Sequence, residues 1–425
     1  MKKLIYTLAL LIIIHCTLII DNCQSQWSEQ VSGVTSYLYS VSATDNNVVW
    51  ICGAGGKVLR TTNGGTNWSL TTSPNAALDL YNICGIDANT ALVTGSGTTA
   101  YVYKTINGGA NWTLVFSQVG GFMNTISRVN FVNNDALLMT GDPVGGRWSL
   151  WQSTNAGTNW DSTDMYLPQS GTETGYNNSF DYWPPDYVTT IWFGTNNSRI
   201  YKFSNGQGWT TQSTGTQTDI LAIFFYDSLG GAAGSTTGGL YTTDGGQNWG
   251  NNPTYIGSGS INGIAFTHEG AYYTRGSSVY FSPTGYIFTA ATTQTGTYTH
   301  LAKPNSISSN NLWAIRNNGG ISKYTSSVGI TPISTEIPAK YSLSQNYPNP
   351  FNPTTTMKFD IPKSGYVKLN IYDINGRILE CLVNEEMNPG IYEVNWNATH
   401  YPSGVYFYRL TTDFYSETKK MILMK

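Results

Sequence analysis

From Leu38 onward the chain repeats one pattern of apolar and polar positions. Two apolar runs of four to six residues come first, such as Leu38–Ala43 with Val48–Gly53, or Val129–Val132 with Ala136–Gly141. A third short run follows, such as Lys57–Arg60 or Tyr101–Lys104, and then a Gly-rich polar turn that closes on Trp. Runs this short, rich in β-branched and aromatic residues and bounded by Gly, Asn and Asp, predict β-strands rather than helices. Each polar turn then joins the third and fourth strands of a four-stranded unit.

The turn itself recurs. Asn63, Gly65 and Trp68 stand in Thr-Thr-Asn-Gly-Gly-Thr-Asn-Trp, and Asn107, Gly109 and Trp112 hold the same places one repeat later. Asn155, Gly157 and Trp160 make a third copy, Asp244, Gly246 and Trp249 a fourth, and Ser204–Trp209 a shortened one. The Trp-to-Trp steps are 44, 48, 49 and 40 residues. That period fits blades of a β-propeller, at roughly 40–50 residues each. The Asn or Asp accepts backbone N–H bonds and tightens the turn. The second Gly supplies a positive φ, and the Trp is expected to fold back over its own hairpin.

Two later repeats keep strands without the motif: Ile261–Phe266, Ala271–Thr274 and Val279–Ser282 in one, Leu312–Ile315 and Ile321–Tyr324 in the other. The last lacks a fourth strand, and Gln26-Trp27-Ser28 matches Asn67-Trp68-Ser69. The N-terminal strand is therefore expected to complete the last blade, giving seven blades over 26–330.

Composition agrees with an all-β chain. Charged residues are 11% of the 425, against roughly 25% in ordinary domains. Gly numbers 45, and Trp, Tyr and Phe number 13, 29 and 15, enough for a large core. The net charge of −3 gives no electrostatic reason for a nucleic-acid partner. Lys2 and Lys3 precede an apolar run from Leu4 to Ile20, ended by Asp21 and Asn22. This reads as a signal peptide over 1–25, cleaved after Ser25. The mature chain keeps Cys52, Cys84 and Cys381; Cys52 and Cys84 either pair or stay as buried thiols.

The pattern changes near residue 331. Residues 331–340 read as a linker around Pro332 and Pro338, and 341–425 as a second module. Alternation in Met357-Phe359-Ile361, Val367-Leu369-Ile371 and Tyr392-Val394-Trp396, with a hairpin turn at Asp373-Ile374-Asn375-Gly376, predicts a small immunoglobulin-like β-sandwich of six or seven strands.

Two resemblances rest on these residues. The Ser/Thr-x-Asp/Asn-x-Gly-x-x-Trp turn is the Asp-box, or bacterial neuraminidase repeat. In its Thr-Asn-Gly-Gly-x-Asn-Trp form it most resembles the propellers of photosystem II assembly factors, and it occurs in sialidases, xyloglucanases and sortilin ectodomains as well. The resemblance implies the fold; enzymes and non-enzymes share the box. Asn346-Tyr347-Pro348-Asn349-Pro350-Phe351-Asn352-Pro353, then Tyr372–Arg377, Pro402–Tyr406 and Lys419-Lys420-Met421, resemble a type A C-terminal sorting domain of the type IX secretion system. That implies export to the periplasm and passage to the cell surface or beyond, with the type IX machinery as a partner of the tail. A photosystem partner does not suit a chain with such a tail.

Nothing in the sequence supplies an enzyme's constellation. The propeller has six Arg and the glutamates Glu29, Glu173 and Glu269, but no sialidase-type Arg-Ile-Pro start. His268, His300 and His400 stand alone, so no metal or other cofactor is expected. Asp161-Ser162-Thr163 and Asp227-Ser228-Leu229 resemble a short bacterial O-glycosylation signal or are ordinary turns. The expected function is a secreted or surface-displayed, non-catalytic and monomeric binding propeller; a sialidase-like glycoside hydrolase and a scaffold for surface complexes are the alternatives. The expected binding surface is the face opposite the Asp-boxes. Arg147, Arg199, Arg275 and Arg316 fall in or beside turns there, with Asp142 and Trp148 adjacent. Arginine forks suit carboxylates, sulfates or phosphates, so an acidic glycan or a surface protein is the expected partner, with Trp148 as a stacking surface.

Overall fold

A computed structural model describes residues 26–425, apart from 130–135, 184–187, 216, 218, 268–269, 283–284, 286, 305–310, 326–330, 335–336, 375, 377 and 399–400. The signal segment, His268, Glu269, Asn375, Arg377 and His400 lie outside the described residues, as does the Cys381 side chain.

Seven antiparallel sheets follow one another along the first three quarters of the chain. Blade 1 holds Leu38–Ala43, Val49–Gly53, Lys57–Thr61 and Ser69–Leu70. Blade 2 holds Asp79–Gly85, Ala91–Ser96, Thr99–Thr105 and Thr113–Val119. Blade 3 has three strands, Met123–Arg128, Leu137–Val144 and Arg147–Ser153, with single bridges from Gln152 to Asp161 and Arg147 to Pro168 in place of a fourth. Blade 4 is Gly175–Trp183, Thr190–Thr195, Arg199–Ser204 and Gly208–Ser213; blade 5 is Ile220–Phe225, Gly231–Ser235, Gly239–Thr242 and Gly250–Asn252. Blade 6 is Ile261–Thr267, Gly270–Arg275, Ser278–Ser282 and Thr289–Thr293. The first strands touch in cyclic order, and the ring closes where Tyr298–Ala302 meets Leu38–Ala43. The protein is all-β, a seven-bladed propeller with a second β-rich module.

Closure uses the N-terminal strand. Gln26–Gln30 pairs with Ile321–Thr325 as the outer strand of blade 7, beside Leu312–Arg316 and Tyr298–Ala302. Trp27 packs on Tyr324, ring centroids 5.5 Å apart. Glu29 forms an ion pair with buried Arg316, whose guanidinium also donates to Ser322 Oγ at 2.8 Å.

The Asp-box turns repeat one hydrogen-bond scheme. Asn107 Oδ1 accepts from Thr105 Oγ1 at 3.1 Å and from Asn111 N at 2.9 Å, while Gly109 N donates to Thr105 Oγ1 at 3.0 Å. The turns at Asn63, Asn155 and Asp244 do the same. Gly109 has a φ of 84°, and a Cβ there would lie 2.6 Å from Thr71 of the preceding blade. The Trp does not cover its own hairpin. Trp112 meets Trp50 of blade 1, Trp68 meets Trp313 of blade 7, and Trp249 meets Phe225 within its blade while its Nε1 donates to Gln212 of blade 4. The indole reaches past its own return strand toward the neighbouring blade, so it fills the seam between blades.

The C-terminal module is a sandwich of two four-stranded sheets. Met357, Phe359, Ile361, Val367, Leu369, Ile371, Val394 and Trp396 are all inward and buried. The stretch read as a linker is partly structured: Thr331–Ser334 pairs along Gly390–Asn397 as an edge strand, where Pro332 costs little because one side of the strand donates to nothing. Asn346 is buried and donates to Pro348 O and Thr355 Oγ1, so the Asn-Tyr-Pro-Asn-Pro opening is tied into the sheet.

Candidate functional site at the mouth of the channel

Along the inner strands, buried apolar residues fall three apart rather than two: Leu38 and Val41, Leu80 and Ile83, Met123 and Ile126, Ile220 and Ile223, Ile261 and Ile264, Tyr298 and Leu301. A strand can bury both only if an extra residue is inserted between them. The pairing registers show that insertion. Tyr39, Tyr81, Asn124, Leu221, Asn262 and Thr299 are each skipped by the neighbouring strand. In blade 4 the insertion is longer, and Tyr176, Asn177, Asn178 and Ser179 are all skipped. Every blade thus carries a bulge at the same end of its first strand, the end away from the Asp-box turns.

Bulged residues of six blades line a cavity of about 400 Å³, within the size range of small-ligand pockets. Tyr37, Tyr39, Phe122, Asn124, Asp142 and Tyr176 line it, with Asn177, Asn178, Leu221, Asn262 and Thr299. One wall is aromatic. Tyr37 stacks on Tyr39 at 4.4 Å, Tyr39 meets Tyr81 at 4.8 Å, and Tyr81 meets Phe122 at 4.6 Å. The phenols are anchored at the rim: Tyr39 donates to Asp79 at 3.3 Å and Tyr176 to Asp219 at 2.6 Å. Asp142 Oδ1 accepts from Asn124 Nδ2 and from Gly175 N, both at 2.8 Å, and burial pushes its carboxyl up from the ordinary value.

Asn178 forms the floor. Its φ of 64° lies in the left-handed region, which Asn tolerates. Its Oδ1 accepts from Ser40 Oγ at 2.8 Å and Asn82 Nδ2 at 2.9 Å, and its Nδ2 donates to Tyr39 O at 3.0 Å. Below it lies a smaller cavity of about 130 Å³, lined by Cys84, Arg128, Tyr182, His300 and Lys303 among others. His300 is neutral there: burial lowers its pKa to about 3, and Nδ1 accepts from Val41 N at 3.1 Å. Asp181, beside this cavity, is pushed up to about 7 by burial, against the pull of Phe225 N and Lys303. Cys52 and Cys84 are both free and buried, so the disulfide alternative falls; burial raises both thiols, Cys84 to about 11.

The residues singled out from sequence are not brought together. Arg316 is buried at 4% exposure and neutralised by Glu29. Arg199 pairs with buried Glu173 at 2.8 Å. Arg275 spends its guanidinium on the carbonyls of Gly259 and Thr237. Arg147 is exposed and lies outside the mouth. Trp148 is 2% exposed, stacked edge-on with Phe193 and Tyr201, and offers no surface to a ligand. Arginines next to turns were read as solvent-facing, yet a long stem reaches back to a buried partner. Asp142 alone of that set lines the cavity. Among the described lining residues of the mouth none is Lys or Arg. No group of three or more His, Cys, Asp or Glu suited to a metal occurs among the described residues, and no helix there is long and apolar enough to cross a membrane.

The fold and site define a propeller with a ligand-sized cavity at one end of its channel, followed along the chain by a second β module. Residues 21–280 match the family described as photosynthesis system II assembly factor YCF48, and the chain belongs to that family. Residues 345–424 match the secretion system C-terminal sorting domain. No curated sequence matches the chain. Among solved structures, YCF48 bound to D1 peptide is similar at 15% identity and a TM-score of 0.56, covering 71% of this chain and 97% of that one. YCF48 from Cyanidioschyzon merolae is similar at 16% identity and a TM-score of 0.55, covering 70% and 98%. The WD40 propeller of Doa1 is similar at 12% and 0.51, covering 71% and 97%. These likenesses establish the fold. The tail implies the type IX route, with export to the cell surface or the extracellular space.

Proposed function

We propose that this chain is a binding protein, carried out of the cell by its sorting tail, that captures a ligand at the channel mouth without transforming it. The carrying observation is the set of bulges: every blade breaks its inner strand at the same level, and in six of the seven the bulge turns a side chain into one cavity. A binding or assembly role also suits membership of the YCF48 family, one of whose structures holds a D1 peptide.

Two features support binding over catalysis. Glycoside hydrolysis uses a pair of carboxyl groups, and Asp142 is the single carboxylate among the described residues lining the mouth. Tyr176 brings a phenol to the lining, but burial and its bond to Asp219 raise its pKa, which disfavours the phenolate that attack requires. The signal peptide over 1–25 supplies the first export step.

The test follows full-length protein and a form lacking residues 341–425 by surface labelling of intact cells. Full-length protein reaches the surface or medium, and the shortened form stays in the periplasm. The full-length protein then retains envelope polysaccharide or peptide from the producing cells, and Tyr176→Ala weakens that retention. Surface delivery without the tail overturns the export reading; retention indifferent to changes in the mouth overturns the site.

A further inference from the structure

Resting on the mouth as the binding site, we infer that its ligand is uncharged and rich in hydroxyl groups: one or two terminal residues of a neutral oligosaccharide. The argument comes from which hydrogen-bonding groups the protein uses up. Asn124 spends its Nδ2 on Asp142, and Asn262 spends its Nδ2 on Tyr298 O. Tyr39 and Tyr176 spend their hydroxyl protons on Asp79 and Asp219. In each case one donor is consumed and an oxygen acceptor is left, the two amides each keeping a second N–H. Asn177 Oδ1 is buried with no hydrogen-bond partner, a costly arrangement until a donor arrives. The mouth therefore presents acceptors open to incoming donors, with spare amide N–H groups between them.

Sugar hydroxyls are such donors, and they are spread around a ring, as these acceptors are spread over blades 1, 3, 4 and 6. An ammonium group concentrates its donors at one point and calls for a carboxylate there. The one carboxylate of the lining, Asp142, already receives two N–H groups on Oδ1. An acidic ligand would need a cation in the lining, and the described residues provide none. The aromatic wall completes the fit. Tyr37 is 40% exposed and backed by Tyr39, so its face can pack against the apolar C–H face of a sugar ring.

The experiment titrates full-length protein with three probes, followed by calorimetry at 50 mM and 500 mM salt. The probes are uncharged hexose and N-acetylhexosamine oligosaccharides of two to six units, uronic-acid oligosaccharides of the same lengths, and a lysine-rich peptide. The expected result is saturable binding of at least one neutral oligosaccharide, unchanged between the two salts. Asn177→Ala weakens it about tenfold, Tyr37→Ala weakens it by a similar factor, and Arg147→Ala leaves it unchanged. Asn177 belongs to blade 4 and Tyr37 directly precedes blade 1, so a folding defect in one variant leaves the other decisive. Salt-sensitive binding of the peptide or the uronic acids, with none of the neutral sugars, overturns the inference. If no sugar binds while envelope material is still held in a Tyr176-dependent way, the inference fails and the binding site stands. If nothing depends on the mouth, both fail.

Discussion

Asn82 of the second inner strand donates a 2.9 Å hydrogen bond to Asn178 of the fourth, reaching past the blade between them. With Ser40 and the Tyr39 carbonyl also on Asn178, one amide ties blades 1, 2 and 4 and separates the mouth from the cavity below. Replacing it should loosen the ring. Asn178→Gly keeps the left-handed backbone and loses the amide, costing about 1–3 kcal/mol. Asn178→Ala adds backbone strain at φ 64°, about 1 kcal/mol more. Chemical denaturation of the two variants orders them in that way; equal stability of parent and Asn178→Gly would mean that the floor is not held by this amide.

The Asp-box glycines face two constraints at once. Gly109→Ala places a Cβ against Thr71 at 2.6 Å and at φ 84°, so a loss of at least about 2 kcal/mol is expected. Asn107→Ala removes the acceptor for Asn111 N and costs about 1–2 kcal/mol, as for a lost cap. Thermal unfolding measures both, and Gly109→Ala is the more damaging.

Ring closure is testable at its ion pair. Glu29→Ala leaves the Arg316 guanidinium buried without its carboxylate. Fully buried pairs cost 3–5 kcal/mol when broken this way. Glu29 keeps access to solvent, so about 2–3 kcal/mol is expected. A Glu29→Ala protein as stable as its parent would show that the N-terminal strand is not what closes blade 7.

Asp181 sets a pH dependence. Its carboxyl ionises near 3.8 in an unfolded chain and is raised to about 7 in the fold. The folded state therefore holds the proton more tightly. The stability this lends is complete below about pH 4 and is lost as pH rises through 7. Asp181→Asn still accepts from Phe225 N and cannot ionise. It should match its parent at pH 4 and exceed it at pH 8 by about 1–3 kcal/mol, the lower end applying because Lys303 loses an opposite charge. Denaturant midpoints at the two pH values check the sign.

Much of the architecture was legible in the chain. The Trp period marked the blades, the Gln26-Trp27-Ser28 echo marked the closing strand, and alternation in Met357–Ile361 marked the sandwich. The site was not read, although its signal was present. Leu38-Tyr39-Ser40-Val41 and Leu80-Tyr81-Asn82-Ile83 space apolar residues by three, which no regular strand can bury. That offset names the bulge, and in blade 1 also the residue, Tyr39, that lines the cavity. Arginines near turns were the more conspicuous feature, but sequence proximity says nothing about where a six-atom stem will end. Glu29 and Arg316 are 287 residues apart, and Glu173 stands in the sequence only as one of three propeller glutamates.

The central claim is that the ring of bulges is where this protein meets its ligand. Hydrogen exchange of the full chain, with and without envelope polysaccharide from the producing cells, tests it most directly. The account predicts slower exchange in peptides covering residues 37–41, 80–84, 122–126 and 175–179, with the Asp-box turns unchanged. Protection confined to the Asp-box face or to the outer strands, with the inner-strand bulges unaffected, would contradict it.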